Sequence, residues 1–81
     1  MPTNIATTEH TVPYVWSGKA RFMMVRRIIA NGERFFVIRT KKGEYTLQFY
    51  DMRWNVISPR PNNFDRKLLD VIGDAIMSRS L

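Results

Sequence analysis

The sequence predicts a small α+β domain: an antiparallel β-meander of three to four strands, with room for an N-terminal edge strand, packed on one C-terminal helix. Three observations predict it. Turn signals punctuate the middle of the chain at short intervals, at Asn31-Gly32, Lys41-Lys42-Gly43 and Asp51. Between the last two, Glu44 to Tyr50 alternates strictly, with Tyr45, Leu47 and Phe49 on one face and Thr46, Gln48 and Tyr50 on the other. After Pro59-Arg60-Pro61 the apolar period changes from two to that of a helix.

The elements follow in order. Residues 1–13 are polar and Thr-rich and read as a flexible N-terminal segment, with residues 14–81 forming the domain. Val12 to Trp16 can add a short edge strand, where Pro13 is tolerated, and Ser17-Gly18 is a turn. Arg21 to Ala30 is rich in β-branched and apolar residues. Asn31-Gly32 then marks a hairpin, because both central positions of a type I′ turn need positive φ. Arg34 to Thr40, Glu44 to Tyr50 and Arg53 to Ser58 complete the meander, and the two prolines after Ser58 end it. The helix is expected over Phe64 to Ser78, capped by Asn62 or Asn63, with Asp65 in its first turn. Phe64, Leu68, Ile72 and Ile76 form its apolar stripe, widened by Leu69, Val71 and Ala75.

Two-residue loops would fix the register. Val25 then faces Ile38, Ile38 faces Leu47, Phe36 faces Phe49, and Phe49 faces Trp54. One sheet face collects Val25, Ile29, Phe36, Ile38, Tyr45, Leu47, Phe49, Trp54 and Val56, and this face is assigned to the helix. Arg27 conflicts with it unless a bulge or an edge position turns the side chain away. The second face is mixed: Phe22, Met24, Ile28, Phe35, Val37 and Ile57 stand among Arg26, Arg39 and Arg53.

Charge narrows the function. Thirteen Lys and Arg oppose seven Asp and Glu, for a net +6. Residues 19–60 hold ten bases against three acids, and residues 61–81 are balanced. Such asymmetry points to an acidic partner, nucleic acid first among them. There is no cysteine, and His10 is the one histidine, so Cys-His chemistry and a Cys/His metal site are excluded. His10 falls in the segment expected to be mobile. Asp70 and Asp74 lie one helical turn apart, but Arg66 stands ready as an i,i+4 partner, so a solvated helix face accounts for them. No phosphate-binding glycine motif is present. Neither enzyme chemistry nor a cofactor is expected. No apolar run approaches the roughly 20 residues of a membrane span, and the start has no basic-then-apolar segment. A cytoplasmic protein is the resulting expectation.

Three occupants suit the mixed face. Nucleic acid, DNA before RNA, suits arginines set among aromatics, since guanidinium pairs with phosphate and rings stack on bases. A homodimer or an acidic protein partner suits the same composition, as would an accessory protein of phage or plasmid origin docking on a host factor. Alternatively residues 1–18 fold over it, with Tyr14 and Trp16 covering Phe22 and Phe35. On the nucleic-acid reading, Arg26, Arg39, Arg53, Lys41 and Lys42 form a contiguous basic surface, with Gln48 and Tyr50 near bases or sugars. The protein-interaction reading is the alternative.

Overall fold

The computed structural model describes residues 5–79 and 81. Five strands form one antiparallel sheet in chain order: β1 (Ile5–Trp16), β2 (Lys19–Ala30), β3 (Glu33–Thr40), β4 (Gly43–Tyr50) and β5 (Arg53–Ser58). One helix, α1 (Arg66–Ser78), follows and packs on one face. The α+β meander with a C-terminal helix is therefore the observed architecture. No helix among the described residues is long and apolar enough to cross a membrane.

Three of the four hairpins are closed by two residues with positive φ, at Ser17-Gly18, Asn31-Gly32 and Asp51-Met52. This is the backbone hand that matches strand twist. Asp51 and Met52 adopt it without a glycine. Asn55 braces them, its Nδ2 donating to the carbonyls of Tyr50 and Arg53. The fourth hairpin differs. Lys41 and Lys42 are the two loop residues, neither has positive φ, and Gly43 opens β4 at φ 127°. Thr40 holds this turn, its Oγ1 accepting from Lys42 N and donating to Gly43 O.

That turn corrects the expected register. Phe36 pairs with Leu47 and Ile38 with Tyr45, two residues away from the pairing that a Lys42-Gly43 loop would give. A slip of two leaves every side chain on its face, so the face assignments hold. Val25 does face Ile38, and Phe49 does face Trp54. A bulge between Thr46 and Leu47 shifts the end of β5, leaving Ile57 opposite no residue.

The N-terminal expectations need revision. Where a flexible start to Pro13 was expected, β1 runs from Ile5, paired with β2 along its whole length. Residues 1–4 lie outside the described residues. Thr7, Thr8, Thr11 and Val12 are β-branched, and β2 offers twelve residues to pair with. His10 is accordingly not in a tail: it is half-buried in β1, opposite Val25. Residues 5–16 also do not cover the mixed face. They extend the sheet edgewise, and Tyr14 packs against the core on the helix side.

The core gathers Val12, Met23, Val25, Phe36, Ile38, Leu47 and Trp54 from the sheet with Leu69, Ile72 and Ile76 from α1. In α1 the buried leucine is Leu69, not Leu68, and in β4 Phe49 is 39% exposed. The stripe is centred by Gly73, whose missing Cβ lets the Trp54 indole lie against the helix backbone. That indole stacks edge-on between Phe36 and Phe49, with both ring centroids at 5.5 Å. Asp65, rather than Asn62 or Asn63, is the N-cap, accepting from Lys67 N at 2.8 Å and Leu68 N at 3.1 Å. α1 therefore begins two residues later than expected, and Asn62 instead turns the chain before it by accepting from Phe64 N.

Arg27 remains on the helix face. The ladder runs through it without a bulge, β2 is an internal strand, and Nε is buried without a hydrogen-bond partner among the described residues. Two other arginines tie the helix to the outer strands. Arg66 donates to the Trp54 carbonyl of β5 at 2.7 Å, and Arg79 to the Thr11 carbonyl of β1 at 3.3 Å.

Candidate nucleic-acid interface

Alternation in the strands places Arg26, Arg39, Gln48, Tyr50 and Arg53 together on the face away from α1. They are not one basic patch. Arg26 and Arg39 both reach Glu44, at 3.9 and 3.1 Å, and Glu9 stands opposite Arg26 in the ladder. Glu44 sits between the two guanidiniums and offsets part of their charge. Gln48 Nε2 donates to Glu33, which orients its amide along the sheet. Tyr50 faces Arg53 across the β4–β5 pair, beside the Asp51-Met52 turn. Lys41 and Lys42 occupy the turn at the other end of β4. Seven strand steps separate Gly43 from Tyr50, roughly 23 Å. The expected contiguous surface is thus divided. Arg39, Lys41 and Lys42 lie towards one end of the sheet, Arg26 lies level with Thr46 midway along β4, and Gln48, Tyr50 and Arg53 lie towards the other end.

The first end holds more cations than expected. β2 is twelve residues long and β3 eight, and they pair only from Val25 onward. The hairpin from Thr11 to Met24 is consequently a two-stranded ribbon beyond that point. It lies at the same end as the Lys41-Lys42 turn and stretches the molecule to 46 Å along its longest axis, against 27 and 26 Å across. Lys19 and Arg21 are exposed on the ribbon, and Arg21 Nε donates back to the Trp16 carbonyl. Arg39 is exposed at 73% of its side chain. The ion pairs among the described residues are Arg26–Glu44, Arg39–Glu44 and Arg66–Asp70. Among those residues, Lys19, Arg21, Lys41 and Lys42 therefore project with no acid at ion-pair distance.

The ribbon also carries apolar groups that no described residue covers. On its face away from α1, Pro13 stands opposite Phe22 and Val15 opposite Ala20, with Met24 behind them. Phe22 is 72% and Val15 62% exposed. The opposite face of the ribbon differs. There Val12 and Met23 are buried in the core and Tyr14 packs against it. One side of the ribbon is thus anchored and the other bare.

Lys19 and Arg21 were not singled out by the residue pattern, and Phe22 was placed only as one member of the mixed face. A signal for them exists in the spacing. Turns at 17–18, 31–32 and 41–42 enclose strands of twelve and eight residues, so the first hairpin must overhang the second. No protein-family model, curated protein or solved structure matches the chain.

Proposed function

We propose that this chain is a small nucleic-acid-binding module that takes DNA through its basic end. The carrying observation is the convergence of Lys19, Arg21, Arg39, Lys41 and Lys42 around one end of the sheet, with Glu44 the single acid paired among them in the described residues. Phosphates of a nucleic acid exchange condensed counterions for such cations, and released counterions drive binding. The Lys41-Lys42 turn is held by Thr40, so its two ammonium groups reach outward from a fixed base. Arg26 and Arg39 share Glu44, which keeps both guanidiniums on the face away from α1. Gln48, Tyr50 and Arg53 lie towards the other end of the sheet, away from these cations, and are left out of the contact.

The test is an anisotropy titration of labelled duplex DNA, single-stranded DNA and RNA against wild type, Arg39→Ala and the double variant Lys41→Ala/Lys42→Ala. Each lost phosphate contact should weaken binding to all sequences alike and reduce the salt slope by about one. Variants that bind as tightly as wild type would remove the basic end from the function.

The bare apolar strip of Val15, Phe22 and Met24 supports a second reading, a protein-interaction module that pairs with a copy of itself or an acidic partner. Sedimentation separates the two. A dimer that persists at high salt and is lost in Phe22→Glu favours the protein reading, since apolar contacts respond weakly to salt while phosphate contacts respond steeply.

A further inference from the structure

The β1–β2 ribbon has dimensions and chemistry of its own. Resting on the nucleic-acid reading of the basic end, we propose that this ribbon enters the major groove of duplex DNA, its bare face toward the base edges. Val15, Ala20 and Phe22 then meet thymine methyl groups, while Lys19, Arg21 and the Lys41-Lys42 turn hold the flanking phosphates.

Four features carry this. The ribbon overhangs β3, so no neighbouring strand blocks its descent between two phosphate backbones. Two strands about 4.8 Å apart with their side chains fit a groove about 12 Å wide, which admits a two-stranded ribbon. A minor groove about half as wide does not admit it, and the deep, narrow major groove of A-form RNA is closed to side chains, which favours DNA. The groups are also sorted correctly. Apolar Val15, Ala20 and Phe22 share one face, and Lys19 and Arg21 share the other by strict alternation. An apolar strip facing base edges can read one feature of the major groove, the thymine C5 methyl. Lys19 and Arg21 project from the outward side of the ribbon, where long side chains reach the phosphates of the groove rim, and Lys41 and Lys42 project from the adjacent turn. Finally, the ribbon is anchored on its other side by Val12 and Met23, which are 1% and 8% exposed. A ribbon held at its base loses less freedom on insertion than a free loop.

The experiment uses the whole chain and a mixed-sequence duplex made twice, once with thymine and once with deoxyuridine. The second lacks only the C5 methyl groups, and its minor groove is unchanged. Wild type should bind the thymine duplex more tightly, by about fourfold for each methyl buried. Phe22→Ser and Val15→Ser, both at exposed positions, should fold normally and lose that preference while keeping the salt slope. Lys19→Ala/Arg21→Ala should keep the preference and flatten the slope. Dimethyl sulfate footprinting on the same complex should show protection at guanine N7, in the major groove. Equal affinity for the two duplexes, or protection confined to adenine N3, overturns the insertion while leaving the basic end in its phosphate role. No binding to either duplex at low salt overturns both.

Discussion

Gly73→Ala sets two physical effects against each other. Gly73 lies inside α1, so alanine should stabilise the helix by about 1 kcal/mol through propensity alone. The packing opposes this. A Cβ at position 73 would lie 2.2 Å from both Cδ1 and Nε1 of Trp54 and 2.6 Å from Cε2. Real Cβ contacts do not approach so closely, and the atoms in the way belong to a rigid ring rather than a flexible chain end. Trp54 is 4% exposed and held edge-on by Phe36 and Phe49. The helix or the indole must move by more than 1 Å, roughly the gap between 2.2 Å and ordinary van der Waals contact. Overpacking of this kind costs about 1 to 3 kcal/mol or more, and this contact belongs at the upper end. The net expectation is a loss of about 1 to 2 kcal/mol, which in so small a domain lowers Tm by roughly 4 to 16 °C. Far-ultraviolet circular dichroism follows the melt, and Trp fluorescence reports whether the indole has moved. In a Trp54→Leu background the penalty should shrink, because the rigid ring that meets the new methyl is gone. A Gly73→Ala protein that melts higher than wild type would show that the indole does not press on the helix backbone.

Three further outcomes are expected. Leu69→Ala should cost about 2 to 5 kcal/mol, and Leu68→Ala clearly less, since Leu69 is 3% exposed and Leu68 only half-buried; urea denaturation of the two variants side by side checks the order. Asp65→Ala removes the acceptor of Lys67 N and Leu68 N and should cost about 1 kcal/mol, with Asp65→Asn nearly neutral in the same melt. Glu44→Gln releases Arg26 and Arg39 from their shared acid and should tighten duplex binding at low salt. Its stability should change by less than about 1 kcal/mol because both pairs are exposed or half-exposed; unchanged or weaker binding would place Glu44 outside the interface.

Much of the fold was legible because turn residues and alternation both bear on it. Asn31-Gly32 and Asp51-Met52 marked their hairpins and set the pairing of Val25 with Ile38 and Phe49 with Trp54. The faces survived because moving the loop from Lys42-Gly43 to Lys41-Lys42 slips the pairing by two residues, and side chains repeat every two. Where β1 starts was not legible. Its unbroken polar run from Thr7 to Thr11 resembles a solvated tail, and only the twelve-residue partner strand turns it into sheet. The stripe expected through Leu68 is centred on Leu69 instead, its neighbour on a broad apolar face, because Trp54 seats against Gly73 and turns that side of the helix to the sheet.

The candidate site was less legible than the fold. Strand parity correctly put Arg26, Arg39, Tyr50 and Arg53 on one face, but parity says nothing of distance along a strand. Arg39 and Arg53 share a face, yet one sits level with the start of β4 and the other with its end. Glu44 was visible in the sequence, but its position between two arginines depends on the register of β3 with β4. The ribbon follows from the turns at 17–18, 31–32 and 41–42, which make β2 longer than β3, a difference in strand length that face parity does not register.

The most direct test of the basic end is the salt dependence of wild-type affinity for a duplex. If Lys19, Arg21, Arg39, Lys41 and Lys42 each neutralise one phosphate, log affinity should fall against log salt with a slope of about −4.5. Partial engagement would still leave a slope of about −3. Binding that is absent at low salt, or present with a slope near zero, would contradict a phosphate-binding role for that end of the molecule.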